Sequence, residues 1–134
     1  MSRRLEVEVL GIEAAAGRIA ADEVADLCAA ALGGAGIDHG HVAVEFVAPA
    51  RIRELNRAHR RRDAATDVLS FPVDAAQATA GPRELGDVVV CPARAADLRE
   101  AVVHGALHLA GLDHETDAGE MLALQRDILG AGAG

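Results

Sequence analysis

The segment HGALHLAGLDH, residues 104–114, combines an apolar helix pattern with a spacing of three histidines, H-x3-H-x5-H. On a helix, His104 and His108 lie one turn apart on the same face. Gly111 can take the left-handed conformation that ends a helix, so that His114 can return toward the same point. Three neutral imidazoles that leave a fourth position open are the ligand set of a catalytic zinc ion.

The residues before these histidines predict a buried helix. Apolar side chains cluster on one side at about 100° per residue, whereas His104 and His108 share a narrow stripe with Asp97, and Glu100 lies at its edge. Histidines on a buried helix need partners for their ring nitrogens. A metal ion satisfies one nitrogen of each ring, and Asp97 or Glu100 can accept a remaining N–H. The alternative is a histidine cluster bonded to backbone carbonyls.

The residue after the first histidine bears on the reaction. Zincin peptidases share this histidine spacing and carry Glu at that position, as the general base that activates water. Here the position is Gly105, which can supply no base. A peptidase is therefore disfavoured, although the predicted metal site is unaffected.

Composition limits how the chain can bind other molecules. Its 134 residues are 51% hydrophobic, which suffices for one domain with a real core. The aromatic residues are Phe46 and Phe71, so the core is aliphatic and an aromatic platform for stacking bases is disfavoured. A net charge of −8 opposes non-specific binding of nucleic acid.

Residues 51–62 form one short basic region, in contrast to the rest of the chain. It is either a solvated helix face or a local phosphate clamp, a role that suits the planar guanidinium fork because it bonds two phosphate oxygens at once. Six of the chain's arginines lie within these twelve positions: Arg51, Arg53, Arg57, Arg60, Arg61 and Arg62.

The cysteines and the first residues indicate a cytoplasmic protein. Cys28 and Cys91 do not form a C-x-x-C pair, and the first residues contain no long apolar run. We therefore expect reduced thiols, no secretory signal and no membrane span.

Periodicity predicts one α+β domain over residues 1–134, with about four strands and four helices. The last helix opens with a capping box of Asp117 and Glu120, and residues 130–134 form a frayed tail. Strands are predicted at 5–10, 41–47, 67–71 and 86–91, and the other helices at 22–32, from Pro49 to about 60, and from about 94 to 110.

Three blocks of sequence resemble the bacterial YbeY family in order and approximate spacing, and together they cover about residues 40–130. The blocks are Leu55-Asn56 with Arg60, Asp63 and Thr66-Asp67-Val68-Leu69-Ser70-Phe71-Pro72; Leu85-Gly86-Asp87-Val88-Val89-Val90-Cys91; and the three-histidine segment.

This resemblance implies a metal-dependent, single-strand-specific endoribonuclease. Its implied work is rRNA processing, especially maturation of the small-subunit RNA, and ribosome quality control. It further implies a mixed four-stranded sheet packed with helices, and one zinc ion held by His104, His108 and His114 at the end of a buried helix. The implied partners are RNA rather than DNA, and the small ribosomal subunit or a ribosomal protein.

Other residues are predicted to act on the substrate without binding the metal. Arg60 matches the family's functional arginine and is predicted to neutralise charge on the phosphate. We predict Arg57, Arg61 and Arg62 as further substrate-binding residues. Asp113 adjoins His114 and is a candidate for proton transfer, or it bonds backbone amides in the turn.

Two departures from the family pattern stand out. His59 replaces the usual Tyr, and the segment between Cys91 and the histidine helix is short where family members commonly carry an additional stretch. Two other functions stay open: a metal-dependent hydrolase of another substrate class, and a non-catalytic ribosome-assembly factor in which the metal ties the helix end to the core.

Overall fold

A mixed four-stranded sheet forms the centre of the molecule, with strand order β1-β2-β4-β3. The computed structural model describes residues 5–73, 83–112 and 119–133. β1, β2 and β4 run parallel, and β3 pairs antiparallel with β4. The strands are β1 (Leu5–Leu10), β2 (Gly40–Phe46), β3 (Val68–Pro72) and β4 (Glu84–Val90), and the helices are α1 (Ala21–Gly34), α2 (Pro49–Arg60), α3 (Leu98–Leu109) and α4 (Glu120–Ala133). The predicted α+β fold with a mixed sheet is confirmed.

Alternation along the strands divides the buried apolar residues between two faces of the sheet. Val88 and Val90 belong to a large core that also contains residues of α1, α3 and α4. Val89, between them, packs with Ile52 of α2 in a smaller cluster. Because successive strand residues point to opposite faces, α2 covers the face opposite to α1, α3 and α4. The histidine helix therefore lies on the side of the main core.

Cys28 of α1 is fully buried in this core, and burial raises the pKa of its thiol to about 12. Cys91, which follows β4, is also buried, and both cysteines are free. The buried thiol of Cys28 therefore behaves as a small apolar side chain. Among the described residues, no helix combines the length and apolar character that a membrane crossing requires.

The structure corrects two predicted helix boundaries. α3 begins at Leu98 rather than near residue 94, because Pro92–Arg94 forms a separate 3₁₀ turn and Asp97 caps the helix. α4 continues to Ala133, so the tail predicted at 130–134 is helical over 130–133. Packing of Ile128 and Leu129 against the core, with favourable alanines at 131 and 133, supports this extension. Asp117 of the predicted capping box lies outside the described residues.

Candidate metal centre

α3 brings two of the predicted ligands together. The Nε2 atoms of His104 and His108 lie 3.1 Å apart, and the two ring centroids are 4.7 Å apart. Two ligand nitrogens at about 2.0–2.1 Å from one tetrahedral zinc ion are separated by about 3.3 Å. The spacing of this pair therefore fits two adjacent ligands of one metal ion.

Gln125 of α4 orients His104, a contact that the sequence analysis missed. Its Oε1 lies 2.8 Å from Nδ1 of His104, and Gln125 is a buried polar residue. An amide oxygen accepts a hydrogen bond, so Nδ1 carries a hydrogen, and in the neutral imidazole tautomer the lone pair is then on Nε2. The lone pair is therefore on the nitrogen that faces His108. The signal in the sequence was a glutamine on the inward stripe of α4, between Met121 and Ile128.

The chain turns back at the end of α3 as predicted. Gly111 has φ +99°, and its N–H donates to the carbonyl of His108 while the N–H of Leu112 donates to the carbonyl of Leu107. These two bonds form a Schellman motif, which ends the helix and reverses the chain. The described chain therefore reverses at Gly111 and Leu112, two positions before the predicted third ligand in the sequence.

His114 and Asp113 lie outside the described residues, so their predicted roles are not tested. Within 5–73, 83–112 and 119–133, no group of three His, Cys, Asp or Glu side chains is arranged to hold a metal ion. The described part of the centre is therefore the pair His104 and His108.

Gly105 lies where α3 approaches the sheet most closely. A Cβ at this position would stand 2.6 Å from Cγ1 of Val88 and 2.8 Å from Cγ2 of Val68. The hydroxyl of Ser70 donates to the Gly105 carbonyl at 2.6 Å, which fastens β3 to the helix. The site therefore has no room for the glutamate that zincin peptidases carry here.

A groove with a volume of about 770 Å³ lies beside the two histidines. Arg60 lines it, so the structure brings the predicted phosphate-binding arginine to the same groove as His104 and His108. The remaining lining residues come from the Thr66–Pro72 region and from the segment that leads into α3: Thr66, Asp67, Val68, Leu69, Ser70, Pro72, Arg94, Ala96, Asp97, Glu100 and Ala101.

Asn56 holds the loop that follows Arg60. This asparagine is buried, its side-chain amide donates to the carbonyl of Ala64 at 2.9 Å, and its backbone carbonyl accepts the N–H of Arg61. Arg61 takes the left-handed conformation, with φ +57°, that ends α2. The end of α2, where Arg60 lies, is thus fixed by bonds at both ends of the loop.

The other arginines of the basic region do not line the histidine groove. Arg51 pairs with Glu54, and Arg53 makes two bonds to Asp63, at 2.7 and 3.0 Å, which hold the pKa of Asp63 below its usual value. For these two arginines the solvated helix face is the better description. Arg57 lines a separate cavity near Asp63, and Arg61 and Arg62 are exposed but do not line the histidine groove.

Asp97 and Glu100, the carboxylates predicted to bond the histidine rings, take part in the start of α3. Asp97 is the N-cap of α3 and accepts the backbone N–H of Glu100 at 3.1 Å. Its short carboxylate suits a cap because the first N–H groups of a helix lack internal partners. Asp97 or Glu100 was expected to accept a ring N–H of the histidines. For Nδ1 of His104, the acceptor in the structure is the side-chain amide of Gln125. Both acidic residues line the groove.

His59 stacks edge-on against Phe71, with ring centroids 5.0 Å apart and an interplanar angle of 63°. His59 thus contributes an aromatic contact between α2 and β3. This contact lies directly before Arg60 in the chain, and it further fixes the end of α2.

Comparison with known proteins identifies the family. The family model described as "Endoribonuclease YbeY" matches residues 13–132. A protein named Endoribonuclease YbeY from Rubrobacter xylanophilus is 41% identical over 133 residues, covering 93% of this chain and 94% of its own. One of the same name from Azorhizobium caulinodans is 42% identical over 119 residues, covering 78% and 74%. The chain belongs to the YbeY family.

A solved structure supports the same fold. The solution structure of TM1509 from Thermotoga maritima matches 92% of this chain and 86% of its own, with a TM-score of 0.52 and 26% sequence identity. The family model and the two relatives confirm the family membership predicted from the three sequence blocks.

Proposed function

We propose that this chain is a metal-dependent endoribonuclease that cleaves single-stranded RNA during maturation of the small-subunit rRNA and during ribosome quality control in the cytoplasm. The observation that carries the proposal is the His104–His108 pair, with Nε2 atoms 3.1 Å apart, in the same groove as Arg60. Membership of a family whose model is described as an endoribonuclease supports RNA as the substrate.

His104 and His108 would hold one metal ion, zinc by preference, and His114 would complete the ligand set. Imidazole donors suit zinc, although nickel and copper bind such sites as well. The chemistry that a bound zinc ion supplies is Lewis acidity toward a phosphoryl oxygen and activation of water near neutral pH. Gln125 contributes by keeping the lone pair of His104 on Nε2.

Arg60 acts on the substrate in this proposal. Its guanidinium donates two parallel hydrogen bonds to phosphate oxygens and stabilises the charge that develops on the scissile phosphate. The fixed end of α2 limits the entropy lost when the side chain binds. Arg57, Arg61 and Arg62 would contact flanking phosphates, and Asp113 is the candidate for proton transfer beside His114.

The nucleophile is either water or the ribose 2′-hydroxyl. The ends of the products distinguish the two routes. A 2′,3′-cyclic phosphate indicates attack by the neighbouring hydroxyl, whereas its absence from the earliest products indicates attack by water.

A non-catalytic assembly factor is the second candidate. The observation that favours it is the net charge of −8, because an acidic protein attracts free RNA weakly. On this view, the small subunit or a ribosomal protein presents the RNA. A hydrolase of peptides or esters is less favoured, because the packing around Gly105 excludes the glutamate base of a zincin.

The test compares naked RNA with small ribosomal subunits as substrates for the metal-loaded protein. Peptide and ester substrates are assayed in parallel, and His104→Ala, purified identically, exposes any contaminating nuclease. The proposal predicts RNA cleavage that is lost in His104→Ala. Equal cleavage by that variant, or no cleavage of either RNA substrate by the wild-type protein, would contradict it.

A further inference from the structure

The 3₁₀ turn Pro92–Arg94 brings a second arginine to the histidine groove. Arg94 lines this groove together with Arg60, His104 and His108. It also lines a second cavity, of about 550 Å³, beside Pro49 at the start of α2. Arg94 therefore lies where the two cavities adjoin.

This turn is held in place by a distant residue. Arg18 donates one hydrogen bond to the carbonyl of Pro92 and another to the carbonyl of Ala95, both at 2.7 Å. Within the turn, the N–H of Arg94 donates to the carbonyl of Cys91 at 3.0 Å. The backbone that carries Arg94 is thus fixed on both sides before any ligand arrives.

The side chain of Arg94 is available to a ligand. Arg94 is exposed, and within the part of the chain that the structure describes no hydrogen bond or ion pair engages its guanidinium. The groove also contains carboxylates, from Asp67, Asp97 and Glu100. The carboxylates would repel the phosphates of a polyanion. Those phosphates would therefore bind beside Arg60 and Arg94, the two arginines that line the groove.

We propose that Arg94 is a second phosphate-binding residue for single-stranded RNA, and that it directs the strand from the histidines toward the cavity at the start of α2. This inference rests on the proposed endoribonuclease function. It concerns the segment between Cys91 and α3, which supplies a cation at the groove.

The test measures binding of a short single-stranded 2′-O-methyl oligoribonucleotide, which cannot be cleaved by its own 2′-oxygen, by fluorescence anisotropy at several salt concentrations. Gel analysis after each titration checks that the strand is intact. The variants are Arg94→Ala, Arg94→Lys and Arg83→Ala. Arg83 is the matched control because it is exposed before β4 and lines neither cavity. Cleavage of the unmodified RNA is assayed with the same preparations.

Arg94→Ala is expected to raise the Kd about five- to tenfold and to reduce the salt slope of log Kd by about 0.7, the value for one phosphate contact on a single strand. Arg94→Lys should keep the slope because it keeps the charge. Arg83→Ala should bind as the wild type does.

Equal Kd and slope for Arg94→Ala and Arg83→Ala, in a protein whose wild type cleaves RNA, would overturn this inference alone. A wild type that neither binds nor cleaves RNA would overturn the proposed function and the inference together.

Discussion

Two histidines of this protein sit beside different hydrogen-bond acceptors, and the contrast explains their different chemistry. Nδ1 of His104 meets the neutral amide oxygen of Gln125. Nδ1 of His41, on β2, meets the Glu84 carboxylate at 2.7 Å, and its Nε2 lies 3.2 Å from Glu8. The amide oxygen accepts a hydrogen bond from the ring without adding a negative charge beside it, whereas two carboxylates favour the imidazolium form of His41. The hydrogen bond to Glu84 accordingly raises the pKa of His41.

The surroundings of the two histidines differ in charge as well. The groove beside His104 contains two arginines, Arg60 and Arg94, as well as the carboxylates of Asp67, Asp97 and Glu100. The strands beside His41 carry acidic residues, and burial, with the nearby Glu84 carboxylate, raises the pKa of Asp87. RNA is repelled by such a surface and attracted to the arginines. We therefore expect the strand to enter through the groove.

Replacing Arg60 with alanine tests the cationic side of this comparison and has the largest expected effect. Cleavage should fall by about 10²-fold, because a charge-stabilising donor is lost at the phosphate. Metal content should be unchanged, since Arg60 is not a predicted ligand. Single-turnover rates and elemental analysis measure the two quantities, with Arg83→Ala as the charge-matched control. A wild-type rate in Arg60→Ala would remove this residue from the mechanism.

The Gln125→Leu variant tests whether the amide acceptor gives His104 its ligand character. Leucine keeps the packing of α4 but removes the hydrogen bond, so metal affinity should fall by about 10- to 100-fold. A competition titration with a chelator of known affinity measures this loss independently of activity. Unfolding in urea without metal shows whether the variant has also lost stability, which distinguishes a loss of metal affinity from a loss of folding. An unchanged metal affinity would show that the hydrogen bond from His104 to Gln125 does not contribute to metal binding.

The close approach of α3 to the sheet at Gly105 sets the position of the histidine groove. The Gly105→Ala change should destabilise the fold by about 1–3 kcal/mol, because the added methyl meets Val88 and Val68 at less than 3.0 Å. Gly33→Ala is the control: a methyl group added to this helical glycine meets no neighbouring atom within 4 Å, and the change should stabilise α1 by up to about 1 kcal/mol. Urea unfolding compares the two, and equal stabilities would contradict the close packing.

The His41→Gln variant tests the acidic side and has the smallest expected effect. Because the folded-state pKa of His41 is raised above its ordinary value of 6.5, its contribution to stability is present below pH 6.5 and is lost as pH rises through the folded pKa. The free-energy difference between wild type and variant should thus shrink between pH 6 and 8, from less than about 1 kcal/mol. A difference that grows with pH would contradict the pairing with Glu84 and Glu8.

Much of the fold followed from the sequence because its signals are local. Alternating residues predicted the strands, and the glycine at 111 predicted the reversal after α3, where φ is +99°. α3 begins later than its pattern predicts because Asp97, which fits the helical stripe, is the N-cap of the helix. A capping residue and a first-turn residue look alike until the hydrogen bond from Glu100 is known.

The residues that complete the site were not predictable in the same way. Gln125 and Arg94 join the histidines through tertiary packing, since they lie 21 positions after and 10 positions before His104 in the chain. Periodicity shows that Gln125 interrupts an apolar stripe, but it does not show which side chain it meets. Only the packing of α4 against α3 supplies that partner.

The most direct test of the account is the metal content of the purified protein, measured by elemental analysis for the wild type, His108→Ala and His114→Ala. We expect one ion per wild-type chain and little or none in either variant, with circular dichroism showing that both variants remain folded. His114 follows the end of α3, so little core packing should depend on it. A wild-type chain without a stoichiometric ion, or full occupancy in both variants, would contradict the account.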